Sequence, residues 1–149
     1  MIKVPNTYAE WTVVLDALKN KEDDAEVIEV MQKGTIEWQS GIAERFSKRL
    51  IDAVNARMNA ASDKFQKDFS RSNGQDGAIV QALLSLRKEM SFLMKAVAPP
   101  VLPEKDRSHY AQLIQDQADN MQKSLEDSAK KDRTGKLSSL VRNHKVNTL

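Results

Sequence analysis

Two histidines, with the carboxylates and serines near them, are the residues of this chain best suited to metal or acid–base chemistry. Di-metal sites in helical bundles use paired Glu-x-x-His elements on facing helices. Here a single Asp-x-x-His element, Asp106 with His109, lies beside a predicted helix start, and the other histidine, His144, lies in the C-terminal tail. This pattern favours a solvated aspartate and an exposed histidine, so we expect no catalytic metal and no cofactor.

Patterns for nucleophilic catalysis and phosphate binding are equally weak. Ser138 and Ser139 lie near His144, but a nucleophile needs a base that a third group orients, and a mobile basic segment cannot hold that geometry. The five glycines are single and scattered, whereas a phosphate-binding loop clusters them after a strand. The absence of cysteine removes disulfides, thiolate zinc sites and cysteine nucleophiles. We therefore expect a protein that is not an enzyme.

Basic residues near the C-terminus are the strongest charge feature of the chain. Residues 128–149 hold six basic side chains and one acidic one, a net charge of +5, whereas the other 127 residues hold 17 basic and 20 acidic ones, a net of −3. The candidates for contacts with an anion or a nucleic acid are Lys130, Lys131, Arg133, Lys136, Arg142 and Lys145. Such charges can neutralise phosphates, but no aromatic residue lies among them to stack on bases. Two alternatives stay open, nucleic-acid binding and the solvated side of a docked helix, and the second is slightly favoured.

A second basic group is expected on the outer side of a long helix. Its members are Arg45, Lys48, Arg49 and Arg57. The same helix carries four carboxylates at Glu44, Asp52, Asp63 and Asp68. Opposite charges three or four residues apart are typical of an ordinary solvated helix face, which is the interpretation we favour.

The segment 77–97 has the strongest apolar pattern in the chain, and the other predicted helices must pack around it. Six residues follow one another by alternating steps of four and three: Ile79, Leu83, Leu86, Met90, Leu93 and Val97. This spacing places one stripe on one side of an α-helix. Further apolar residues widen the stripe: Val80, Ala82, Leu84, Phe92, Met94 and Ala96. The pattern predicts the central helix of an all-α core. Charged residues interrupt it, and each would cost about 3 kcal/mol at a bilayer centre, so we expect no membrane span.

Two short helices are predicted before residue 35. Thr7 and Glu10 have the spacing of a capping box, which begins a first helix that runs to about Lys19. Asp23 with Glu26 caps a second helix, which ends at Gly34. The residues expected to be buried are Trp11, Val14, Leu15 and Leu18 in the first helix, and Val27, Ile28, Val30 and Met31 in the second.

The longest helix is predicted from residue 36 to about residue 71, with Thr35 as its N-cap. Its apolar stripe comprises Trp38, Ile42, Phe46, Leu50, Val54, Met58, Ala61, Phe65 and Phe69. A break near Ser40 and Gly41 is left open by the pattern. Both tryptophans are expected on inner stripes, where they would pack the two short helices onto the long one.

Proline punctuates the C-terminal part of the chain. Asp76 is the expected N-cap of the core helix, and the prolines at positions 99, 100 and 103 end it. A helix from Pro103 to about Lys131 should bury Tyr110, Leu113, Ile114, Ala118, Met121 and Leu125. A short helix at 136–144 would place Leu137, Leu140 and Val141 on one side, and the last five residues look frayed.

These elements predict an all-α, elongated helical bundle of about four to six helices built around the core helix 77–97. Residues 1–132 would form the bundle domain, and residues 133–149 a basic segment that is a short helix or partly disordered. At 1.5 Å per residue the three main helices would span about 54, 32 and 43 Å, so the core helix cannot cover its neighbours along their whole length. Either the two short N-terminal helices fold back over the overhang or a second copy of the chain covers it. We expect a mixture of both, with a homodimer slightly favoured. No secretory signal is visible at the start of the chain, and we expect a cytoplasmic protein without a membrane partner.

The function favoured by these observations is that of a non-catalytic helical module for protein interaction or self-assembly, working through a helix-in-groove contact. The expected partners are a second copy of the chain and an unidentified protein. The alternative is a nucleic-acid accessory protein that grips phosphates with its basic tail. An enzyme with a site built from ordinary-looking residues is the least favoured hypothesis.

Overall fold

The computed structural model describes residues 1–149 and confirms the all-α prediction. It contains six helices, which hold 72% of the residues, and no strand. They are α1 (Tyr8–Lys19), α2 (Asp24–Lys33), α3 (Ile42–Arg71), α4 (Asp76–Ala96), α5 (Glu104–Ala129) and α6 (Lys136–Asn143). None of them combines the length and hydropathy that crossing a bilayer requires.

The contacts of the chain divide it into two compact units. Unit 1 comprises Met1–Asn59 and Lys95–Tyr110, and unit 2 comprises Ala60–Met94 and Ala111–Leu149. Helices α3, α4 and α5 therefore each contribute residues to both units, whereas α1 and α2 belong to unit 1 and α6 belongs to unit 2.

Side-chain caps begin the first two helices where the sequence predicts them. Thr7 Oγ1 accepts a hydrogen bond from the Glu10 amide at 3.2 Å, and the Glu10 carboxylate accepts from the Asn6 amide at 3.0 Å. In α2, Asp23 Oδ1 accepts from the Glu26 amide at 3.3 Å. These bonds satisfy amides that have no partner within the helix.

The core of unit 1 is built around Trp11, which is completely buried. Its ring meets Phe46 of α3 edge to face at 5.1 Å between centroids, and its Nε1 donates to the Thr35 carbonyl at 2.8 Å. A Cβ at Gly34 would lie 2.4 Å from the Trp11 ring. Gly34 has extended backbone at φ −68°, so a glycine is needed there for space beside the indole and not for a left-handed helix end.

The predicted start of the long helix at residue 36 is wrong. An N-cap carbonyl accepts the first bond of its helix, but the Thr35 carbonyl accepts from Trp11, and the Thr35 amide donates to the Pro5 carbonyl at 2.9 Å. Gly41 then adopts φ +83°, a left-handed conformation that interrupts helical backbone, and α3 begins at Ile42. As a result Trp38 is not on an inner helical stripe: it is 40% exposed and touches Phe46 edge to face.

Arg57 is buried, which corrects its predicted place on an outer basic face. Its side chain is 3% exposed, and its guanidinium donates to both Asp24 oxygens at 3.0 and 2.9 Å and to the Leu18 carbonyl at 2.8 Å. Leu18 lies in the last turn of α1, where carbonyls lack helical partners. The winding stripe of α3 passes through position 57, so the buried face carries a charge that ties α3 to the α1–α2 connection.

The apolar stripe of α4 is buried as predicted, from Ile79 to Val97. The residues that widen it differ: Ala82 and Ala96 are buried, whereas Val80, Leu84, Phe92 and Met94 are only half-buried. Six other predicted core residues are also half-buried, namely Ile28, Ile42, Phe69, Leu113, Met121 and Leu125. The periodicity therefore located the buried face of α4 correctly and overestimated how much of the predicted apolar faces the chain itself covers.

Candidate functional site

An apolar groove of about 410 Å³ lies within unit 2, and we name it the apolar groove. Its apolar lining is Phe65 and Phe69 of α3, Ile79, Leu83 and Leu86 of α4, Met121 and Leu125 of α5, and Leu137 and Val141 of α6. The three α4 residues and Val141 of α6 are deeply buried and form the floor, while α3 and α5 form the two walls. Residues of four helices thus line one groove within unit 2.

The rim of the apolar groove is polar but uncharged. It consists of Ser62 and Gln66 on α3 and of Gln117, Asn120, Ser124 and Ser128 on α5. No ionisable side chain lines the groove, although 30% of the chain is charged. Hydroxyl and amide groups can hydrogen-bond to any partner without imposing a charge on it. The groove is therefore suited to an uncharged, apolar surface.

The α5 wall of the groove is as long as a short helix. Its α5 wall runs from Gln117 to Ser128, which at 1.5 Å per residue is about 16 Å, or three helical turns. Two α5 residues predicted to be core, Met121 and Leu125, lie half-exposed on this wall. The signal for them is present in the sequence, because uncharged residues flank their stripe where solvated helices usually carry charges.

Helix α6 closes one side of the groove, and Asp132, which precedes its N-cap Gly135, caps its first turn. Asp132 Oδ2 accepts from the Leu137 amide at 3.0 Å, and Asp132 Oδ1 accepts from the Thr134 amide at 3.2 Å. These hydrogen bonds, the one from Leu137 first, hold the pKa of Asp132 below its ordinary value. The cap is therefore intact at neutral pH and weakens only as the pH falls through that lowered pKa.

The last five residues are ordered against α5, which corrects the prediction that they fray. Val146 is fully buried, and its amide donates to Gln122 Oε1 at 3.0 Å. Asn147 donates to Asp119 at 2.9 Å, and Gln115 donates to the Asn147 carbonyl at 2.9 Å. Three polar α5 side chains thus hold the tail, and the partly apolar five-residue sequence alone could not reveal them.

The six basic candidates of the tail are all exposed. Lys136 pairs with Asp76 at 2.5 Å and Lys130 with Asp127 at 3.6 Å. The four that form no ion pair are Lys131, Arg133, Arg142 and Lys145. The C-terminal residues 128–149 thus contain both the docked helix α6 and four surface cations without ion pairs, so features of both alternatives are present.

The residues considered for catalysis lie apart from the groove lining. Asp106 is half-buried and His109 is exposed, with its ring 5.9 Å from that of Tyr110. His144 Nδ1 donates to the Leu140 carbonyl at 2.9 Å, so its bond goes to backbone and not to a serine. No group of three or more His, Cys, Asp or Glu side chains is placed to hold a metal ion.

Comparison of the chain with protein-family models, with curated proteins and with solved structures finds no match in any of the three. The geometry and chemistry of the apolar groove are therefore the basis for its proposed role.

Proposed function

We propose that this protein is a non-catalytic helical module that assembles through the apolar groove, and that a second copy of the chain occupies it. The observation that carries the proposal is an apolar channel, three helical turns long, whose lining contains no ionisable side chain. An amphipathic helix that packs against such a groove buries its own apolar face and that of the groove.

The second copy is favoured by charge. Each residue near the axis of a two-fold contact faces its own counterpart, so a charged lining would place like charges together. An uncharged lining avoids this repulsion. The half-exposed Met121 and Leu125 supply the matching ridge, since α5 of each copy can enter the groove of the other.

Met121→Glu is expected to convert a dimer into a monomer. The introduced carboxylate would be desolvated in the interface, and a two-fold dimer would contain one such carboxylate from each subunit. Association should therefore weaken by about two orders of magnitude. Light scattering should give about twice the 16.8 kDa chain mass for the parent and the single chain mass for the variant. Because Met121 is half-exposed, circular dichroism should show unchanged helix content.

The matched control is Ala60→Glu, which adds the same charge to an exposed position of α3 outside the groove lining. It should leave the mass unchanged. A parent that is monomeric at all micromolar concentrations, or a Met121→Glu dimer as stable as the parent, would exclude self-assembly through the groove.

A nucleic-acid accessory role is the second candidate, because four exposed cations of the tail lack carboxylate partners. If all four contact phosphates of duplex DNA, the affinity should fall with a log–log salt slope of about −3.6. The arrangement of the tail nevertheless supports docking more strongly, since Val141 and Val146 are buried.

Deletion of residues 132–149 separates the two roles of the tail. We expect the deletion to lower the melting temperature by several degrees, because it removes two buried valines and the bonds of Val146 and Asn147 to α5. Gel-shift titration with duplex DNA at low and moderate salt should detect negligible binding by either form. A truncated protein with an unchanged melt and a lost DNA complex would instead establish the nucleic-acid role.

A further inference from the structure

A second cleft, of about 300 Å³, lies between α1 and α3 in unit 1, and we name it the basic cleft. Its lining is Tyr8, Leu15, Asp16, Lys19, Arg45, Lys48, Arg49, Asp52 and Ala53. Leu15 and Ala53 are buried and form its floor, while the charged side chains are exposed around it. The sequence predicts only a solvated helix face for the α3 cations, because nothing in the spacing indicates that Lys19 of α1 joins them.

The charges of the basic cleft are unevenly matched. Arg49 Nη2 donates to both Asp16 oxygens at 3.2 and 3.3 Å, so this pair is internally neutral. Lys19, Arg45 and Lys48 form no ion pair. Asp52 is the one remaining carboxylate in the lining. The cleft therefore carries a net charge of +2 from side chains of two helices.

The rest of unit 1 has a net negative charge, so the clustering of basic side chains in the basic cleft stands out from its surroundings. Unit 1 holds eleven basic and twelve acidic residues, a net charge of −1. Without the four cations and two carboxylates of the basic cleft it would hold seven basic and ten acidic residues, a net of −3. Within a unit that is otherwise net acidic, this cleft is therefore a local attraction for an anion.

We propose that the basic cleft binds a phosphate monoester dianion. The planar guanidinium of Arg45 can donate two parallel bonds to phosphate oxygens, and the ammonium groups of Lys19 and Lys48 supply further charge. The cleft charge of +2 matches a dianion. An extended polyanion is disfavoured, because Asp16 and Asp52 flank the cations within a space of about 300 Å³.

Titration followed by amide chemical shifts tests the proposal. Inorganic phosphate should shift amides of α1 and α3 around the cleft in a saturable way. The double substitution Arg45→Gln with Lys48→Gln should weaken this binding about tenfold or more, while Asp52→Asn should strengthen it several-fold by removing the opposing carboxylate. All three positions are exposed, so folding should be retained. Lys67→Gln is the matched control, since it removes an exposed, unpaired α3 cation outside the cleft.

Two further arms identify the source and the charge state of the ligand. If glycerol 3-phosphate binds more tightly than inorganic phosphate, the ligand is a small phosphorylated molecule. If a phosphoserine peptide binds more tightly than inorganic phosphate, the ligand is a phosphorylated segment of a partner protein. Phosphate monoesters lose their second charge near pH 6, so affinity should fall between pH 7.5 and about 5.5, whereas sulfate binding should not. No saturable shift with any phosphate, or equal weakening by Lys67→Gln, would overturn the proposal.

Discussion

Leu86→Asp is expected to lower the free energy of unfolding by about 4 kcal/mol or more, which is most of the stability of a small domain. Leu86 is 4% exposed in the middle of the α4 stripe. The substitution removes a packed apolar side chain and places a carboxylate in the groove lining, which contains no cation to pair with it. Urea denaturation followed by circular dichroism measures the change.

Gln81→Asp is the control for the Leu86 variant, because it introduces the same carboxylate at an exposed position of α4. It should change the unfolding free energy by less than about 0.5 kcal/mol. A Leu86→Asp protein that melts like the parent would show that α4 is not the central element of the core.

Arg57→Met is expected to cost about 3 kcal/mol. Methionine retains most of the apolar volume but leaves the Asp24 carboxylate and the Leu18 carbonyl without the guanidinium they now share. The cost is below that of a fully buried pair, since the Asp24 side chain is 27% exposed and can recruit water. Arg57→Met should therefore be the most destabilising substitution of any basic residue in α3.

A double-mutant cycle isolates the Arg57–Asp24 interaction. Asp24→Asn in the Arg57→Met background should cost much less than in the parent, because its partner is already absent. Arg71→Met, at an exposed site of the same helix, should be nearly neutral. Additive effects of the two substitutions would mean that the two charges contribute independently.

Local signals were sufficient to predict the six helices, apart from the start of α3. Thr7 and Glu10 begin α1 because a hydroxyl and a carboxylate satisfy its first amides, and this needs no distant residue. The stripe from Ile79 to Val97 identifies α4 because its periodicity repeats over five turns. Capping residues and apolar periodicity lie within a single helix, so they can be recognised without knowing which elements pack against that helix.

Features that depend on distant partners could not be predicted in this way. The segment before α3 is diverted by Trp11, 24 residues earlier, whose indole donates to Thr35. Arg57 can be buried because its guanidinium donates to Asp24, an aspartate 33 residues away. Neither pairing leaves a periodic trace in the sequence, so a charge at position 57 was indistinguishable from one in solvent.

The candidate site was predictable only as a set of apolar faces. Met121 and Leu125 have the spacing of core residues, and periodicity cannot distinguish a face that the chain covers from one it leaves open. The docking of Val146 was likewise hidden, since it depends on Gln122, a polar residue buried at 4% exposure on α5. Polar anchors of this kind become visible only when their partners are placed.

The division of the chain has a practical consequence for dissecting its two candidate binding surfaces. Each unit is assembled from two separate stretches of sequence, and the chain passes between them at residues 59–60, 94–95 and 110–111. All three passages lie inside helices α3, α4 and α5, and none lies in a loop. No single proteolytic cut can therefore release either unit as one continuous fragment. The groove and the basic cleft have to be separated genetically by point substitutions, because no shortened gene encodes one unit whole without part of the other.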